Sequence, residues 1–235
     1  MSHTFVLVHG AWHGGWCWQR VADRLRGGGH TVFTPTLTGL GERSHLLRAG
    51  IDLTTHIADV VNVMKWEELT DIVLCGHSYG GFVISGVAEA MAGAIRSIVF
   101  LDAFVPKNGE AVADLTGPAV QDSIRTALAR GDLAIPPRSA EAFGVNAADR
   151  AWVDRLCVGQ PIGTFTAKIA LSGGRDRIAR KSYIRAKSYA NPGFDRAFEA
   201  LKSDPAWRTY GVPCGHDVMV DMPERLSEIL LEVAA

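Results

Sequence analysis

The chain lacks any apolar stretch approaching the roughly 20 residues that a membrane-crossing helix needs, so no span organises it. Net charge is almost absent, since 24 Lys and Arg against 25 Asp and Glu leave −1 at pH 7. The basic residues are scattered, which removes the electrostatic case for nucleic acid or an anionic bilayer. Cysteine is sparse: Cys17, Cys75, Cys157 and Cys214 stand far apart, with no CxxC pair. That disfavours a zinc knuckle and favours free thiols in a reducing cytoplasm over disulfides. The opening Met1-Ser2-His3-Thr4 runs straight into Phe5-Val6-Leu7-Val8, a run too short for a secretory signal core. Internal repeats and low-complexity tracts are missing as well. The expected partner is therefore a small, mostly uncharged molecule, with no nucleic acid, no membrane, no metal and no cofactor. A homodimer is compatible with this reading.

What the chain does have is an ordinary globular composition, 47% hydrophobic over 235 residues, enough for one domain with a large core. Its organising stretch is Asp71-Ile72-Val73-Leu74-Cys75-Gly76-His77-Ser78-Tyr79-Gly80-Gly81-Phe82. An apolar strand runs into Gly-x-Ser-x-Gly and then into helically spaced Phe82, Val83, Gly86 and Val87. In that context the serine sits on a tight strand-to-helix turn, which needs small neighbours and pushes the hydroxyl out of the sheet. The Tyr79 amide then lies at a helix N-terminus, where free N–H groups can hold an oxyanion.

Taken in order, Phe5 to Val8 reads as a buried strand that ends in His9-Gly10-Ala11-Trp12-His13-Gly14-Gly15-Trp16. The amide of Ala11 is the second candidate oxyanion donor. His9 and His13 are four apart, but no acidic or histidine partner nearby completes a metal set. A helix through Trp18, Val21, Ala22 and Leu25 stops at Gly27-Gly28-Gly29. Further strands are expected at 31–34, 96–101, 182–186 and 207–212. Helices are expected at 52–69 and 194–201, with a terminal one through Leu226, Ile229, Leu230 and Val233. The alternation points to an α/β fold: a mostly parallel sheet, helices on both faces. It lapses between about 105 and 180, which reads as a lid inserted into a core formed by 1–104 and 181–235.

A serine hydroxyl needs a base, and His216, in the loop after the last strand, is the best placed of the eight histidines. His77 flanks the serine but points away. The acid is harder to place, because the next-to-last strand ends in Ala186-Lys187-Ser188-Tyr189 without a carboxylate. Asp102 ends the strand beside the serine strand and is the favoured partner for His216, with Asp195 second and Asp217 disfavoured by adjacency. Trp12, Phe104, Trp152 and Phe165 are candidate pocket walls, with Phe143 beside them.

Together, Phe5 to Trp16, Gly76 to Gly80 and Gly215-His216 make the chain similar to the α/β-hydrolase superfamily, and within it to the plant methylesterase and hydroxynitrile lyase branch. The resemblance implies Ser78 as nucleophile, His216 as base, and the Ala11 and Tyr79 amides as oxyanion hole. It also implies that the lyases carry a threonine at Gly10 and a lysine at Asp217. An acidic residue there opposes stabilisation of departing cyanide. The expected activity is hydrolysis of a small hydrophobic or aromatic carboxylic ester. The rivals are a hydrolase of C–C bonds, a hydroxynitrile-lyase-like enzyme, a thioesterase and a non-catalytic small-molecule receptor.

Overall fold

The computed structural model describes residues 2–235. Six parallel strands form the central sheet: β1 (Thr4–Val8), β2 (Thr31–Phe33), β3 (Ile72–His77), β4 (Ile95–Leu101), β5 (Arg180–Ala186) and β6 (Trp207–Val212). They lie side by side in the order β2-β1-β3-β4-β5-β6. Strands β1 and β3 carry continuous apolar runs because both faces are covered, as parallel sheets require. Phe5, Val6, Leu7 and Val8 are all fully buried, as are Ile72 to Cys75. Register places Val8 beside Gly76 and His77 beside Leu101, so β1, β3 and β4 deliver their carboxyl ends to one edge.

The flanking helices include α1 (Gln19–Gly27), α2 (Leu53–Trp66), α3 (Gly80–Met91), α4 (Pro118–Arg130), α5 (Arg150–Leu156), α6 (Pro192–Lys202) and α7 (Pro223–Ala234). Helix α1 packs with α7, and α2 with α3. Local chemistry sets several starts. Asp52 accepts from the Thr55 amide at 3.0 Å and the Thr55 hydroxyl faces back, a capping box at the head of α2. Asn191 likewise accepts from Gly193 and Phe194 ahead of α6, whose first residue is Pro192.

The expected elements are present with shifted ends. Trp18 closes a short 3₁₀ turn (Gly15–Trp18) instead of lying within α1. Helix α2 ends at Trp66 because Glu68 turns to φ 51°, so Leu69 lies outside it. Strand β5 begins two residues earlier than the hydrophobic pattern indicates, since Arg180 and Lys181 pair with Ser97 and Ile98 along the ladder. Residues 102–179 add no strand to the main sheet. They contain α4, α5, several short turns and one antiparallel bridge, Ala134–Ile135 with Gln160–Pro161.

Candidate active site

Ser78 stands at the carboxyl edge, between the end of β3 and the start of α3, with φ 54°. That left-handed conformation is costly for a non-glycine residue and is kept only where surroundings force it. The surroundings are tight: a Cβ at Gly76 would stand 2.6 Å from the Gly80 carbonyl oxygen, and one at Gly80 would stand 2.9 Å from that of Val8. Three hydrogen bonds pin the serine backbone. Its amide donates to Leu101 at 3.1 Å, and its carbonyl accepts from Gly81 at 3.1 Å and Phe104 at 3.2 Å.

The Ser78 hydroxyl lies 2.9 Å from Nε2 of His216, whose Nδ1 lies 2.6 Å from Oδ2 of Asp102. A carboxylate only accepts, so Nδ1 carries the ring proton and Nε2 is left to accept from Ser78. Asp102 is fully buried and also left-handed, with φ 42°. Its amide donates to Ile184 at 2.6 Å. Its second oxygen accepts from the Ala186 amide at 3.0 Å and from Nη1 of Arg185 at 2.7 Å.

Arg185 is the site residue that sequence reasoning missed. It sits one residue before the end of β5, in the place where a carboxylate was sought, and its side chain is 1% exposed. It binds Asp102, the carbonyls of Ala186 and Tyr189, and, at 3.0 Å, the carboxylate of Asp195. Burial pulls its pKa down, but Asp102 and then Asp195 outweigh that and hold it above the usual arginine range. An arginine inside an apolar strand was the available signal, since such a cation is buried only against an acid.

The turn after β1 faces the elbow. Among the described residues, neither the Ala11 nor the Tyr79 amide donates to a protein acceptor. Trp12, with φ 67°, donates its amide to Gln160 at 2.9 Å and its indole N–H to Ile135 at 3.1 Å. Four further histidines, His9, His13, His56 and His77, brace this shell. His9 accepts from the Leu37 amide and donates to the Gly10 carbonyl, and burial depresses its pKa to about 3. His56 donates to Thr38 and accepts from the Tyr79 hydroxyl, with burial depressing its pKa to about 4. His77 turns away from the cavity, donating to the His216 carbonyl at 3.0 Å. Burial and then the neighbouring His216 push it well below the usual histidine range. In His9 and in His13 both ring nitrogens are engaged by protein, and among the described residues no group of three metal-ligating side chains occurs.

Residues 5–229 match the profile of the alpha/beta hydrolase family. The chain belongs to that family. It is 44% identical to a carbendazim hydrolyzing esterase of Nocardioides sp. (strain SG-4G), over 97% of this chain and 98% of the relative. It is 26% identical to methylesterase 10 of Arabidopsis thaliana, over 99% of this chain and 92% of the relative. A solved extracellular alpha/beta-hydrolase from a Paenibacillus species superposes with a TM-score of 0.86 at 26% identity, covering 98% of each chain. Among the described residues of this hydrolase no helix is long and apolar enough to cross a membrane.

Ser78 and His216 open into a cavity of about 130 Å³ that Ala11, Trp12, Tyr79, Phe104, Phe143 and Phe165 help to line. Phe194 and Tyr189 close over His216, with Tyr189 stacked on its ring at 4.5 Å. Trp152, expected as a wall, does not reach the cavity. It lies on α5, edge-on to Trp16 at 5.1 Å and beneath the Arg20 guanidinium, in packing between the 102–179 segment and α1. Asp217 also departs from expectation. Its side chain is fully buried against His13 and does not line the cavity, so it makes no direct contact with a departing anion there. Gly10 does bear on the cavity floor: a Cβ there would stand 2.8 Å from His77 Nδ1 and 3.0 Å from Ser78 Cβ.

Proposed function

We propose that the protein is a serine hydrolase that cleaves small, largely apolar or aromatic carboxylic esters through an acyl-enzyme. The observation that carries the reading is the unbroken line from Ser78 through His216 to Asp102, at 2.9 and 2.6 Å. In it, His216 takes the Ser78 proton as the hydroxyl attacks the ester carbonyl. The Ala11 and Tyr79 amides receive the oxyanion, and Asp102 stabilises the imidazolium that forms. His216 then protonates the leaving alcohol and activates the water that releases the acid. The relative named for hydrolysing carbendazim and the plant methylesterase support ester hydrolysis.

The aromatic lining, with Arg138 as its one fixed charge, supports a flat apolar substrate. Within this reading the segment from about 105 to 180 is the lid. Gln160, Val158 and Phe143 hydrogen-bond to the Trp12 turn and to the His216 amide, so it meets the site from above. A cytoplasmic setting belongs to the same proposal, supported by four unpaired cysteines. The space at Gly10 favours esterase over hydroxynitrile lyase chemistry, because a threonine there displaces His77 or the serine itself. The test is rapid mixing with p-nitrophenyl butyrate. The wild type is expected to give a p-nitrophenol burst and an acyl mass adduct, and Ser78→Ala neither. A folded Ser78→Ala protein that retains turnover refutes the proposal.

A further inference from the structure

His13 and Asp217 lie 204 positions apart and meet with Nε2 3.0 Å from Oδ2, at 1% and 0% exposure. The other ring nitrogen of His13 is 2.8 Å from the Ala11 carbonyl. The carbonyl only accepts, and so does Asp217 while ionised, so with an ionised Asp217 each nitrogen of the ring donates and the ring is the imidazolium. Burial pulls the ring's pKa down, and the Asp217 carboxylate outweighs it and holds the ring well above the usual histidine range. Asp217 is pushed up by burial but pulled further down by His13, well below the usual carboxylate range. The other titratable groups facing the pair are His77, edge-on at 6.2 Å and neutral, His216, the Asp221 carboxyl, and the thiols of Cys17, Cys157 and Cys214. Trp16 and Phe143 complete a dry shell around it.

A buried ion pair is weak evidence for stability, since two charges must leave water to form it. What it grips is more informative. The Ala11–Trp12 peptide is held at both ends, its carbonyl by His13 and its N–H by Gln160. The preceding Gly10–Ala11 peptide carries the Ala11 N–H, and its carbonyl accepts from His9 at 2.8 Å. A peptide whose carbonyl is so engaged is polarised and donates more strongly from its N–H. Asp217 in turn follows His216 directly in the chain, so the pair ties the oxyanion turn to the loop that carries His216.

We propose that His13 and Asp217 are positioning residues for the reaction: a buried imidazolium–carboxylate clamp that keeps the Ala11 amide aimed at the carbonyl oxygen attacked by Ser78. The inference rests on the esterase reading, and it differs from a packing role in what it affects. Losing the clamp moves an oxyanion donor, which matters in the transition state more than in the bound ester, so kcat falls and KM holds.

The decisive variant is His13→Phe/Asp217→Leu, which leaves no unpaired charge in the interior. It is expected to fold and to lose roughly 10- to 100-fold in kcat on p-nitrophenyl butyrate, the scale of a small misplacement of catalytic geometry, with KM within about two-fold. Nitrogen-15 NMR of the wild-type ring is expected to show both His13 nitrogens protonated from pH 5 to 8. A folded double variant with kcat within about two-fold of wild type overturns the clamp, and so does a neutral His13. If the double variant does not fold, the ring protonation decides, by the same criterion. If the wild type gives no Ser78-dependent burst, the esterase reading fails on its own, and the NMR result still supports or overturns the clamp.

Discussion

Two carboxylates lie fully buried beside the site, Asp102 after β4 and Asp217 after β6, and each is bonded to a histidine. Their surroundings differ in who holds the countercharge. Asp102 shares one oxygen with Arg185 and the Ala186 amide and offers the other to His216. Its charge is therefore balanced by a permanent cation, so no countercharge is required of the His216 ring. Among the described residues Asp217 has no such cation and its Oδ1 has no hydrogen-bond partner; its charge is balanced by the His13 ring itself. That ring cannot release its proton without stranding a buried carboxylate. The same residue pair thus faces the serine in one place and closes on itself, away from the serine, in the other.

The largest break in this comparison comes from Asp102→Asn. An amide offers His216 either the wrong partner or the wrong tautomer, and turnover is expected to fall by about 10⁴-fold. Steady-state kcat, with circular dichroism to verify folding, measures it. A loss below tenfold would mean that Asp102 is no more than a second brace, and the distinction drawn from the countercharge would collapse.

The second break reads stability against pH. His13, raised in the folded state, contributes stability that is full below its unfolded value near 6.5 and declines as pH rises through the raised value. Asp217, lowered, contributes above its unfolded value near 3.9 and loses that only as pH falls through the depressed one. Both are therefore fully present between about pH 4 and 6.5. In Asp217→Asn the buried ring is left without its carboxylate, and folding must strip its proton. The variant is expected to lie about 1–3 kcal/mol below wild type there, with the gap narrowing above pH 6.5. Urea unfolding at several pH values tests this, and a gap that is flat or widens upward contradicts it.

Much of this arrangement was legible before any coordinates. Strands β1 and β3 and the Ile98–Leu101 end of β4 are buried on both faces and so appear as apolar runs. The elbow is legible because close backbone approach at Gly76 and Gly80 tolerates no side chain. The serine, the histidine after the last strand and Asp102 follow from where parallel strands end. The Asp217–His13 contact was not legible, since it joins residues 204 apart through a loop that no periodicity describes. Trp152 was misplaced for a related reason: in the 102–179 segment, aromatic composition says that a side chain is buried but not against what. Arg185 was not legible as a site residue because this architecture leads one to expect an acid after β5, whereas the chain keeps the acid just after β4 and places its cation on β5.

That exchange makes Asp195 the smallest and sharpest test. It touches the same guanidinium as Asp102, at 3.0 Å, but its side chain is 55% exposed. Solvent screens such a contact, so Asp195→Ala is expected to cost about 0–1 kcal/mol of stability, with kcat within about three-fold of wild type, the rate equivalent of well under 1 kcal/mol. Arg185 keeps its bonds to Asp102 and to the Ala186 and Tyr189 carbonyls without it. A loss approaching that of Asp102→Asn would show that the countercharge on Arg185 must itself be balanced from outside. The unit that sets His216 would then be the run Asp195–Arg185–Asp102, not Asp102 alone.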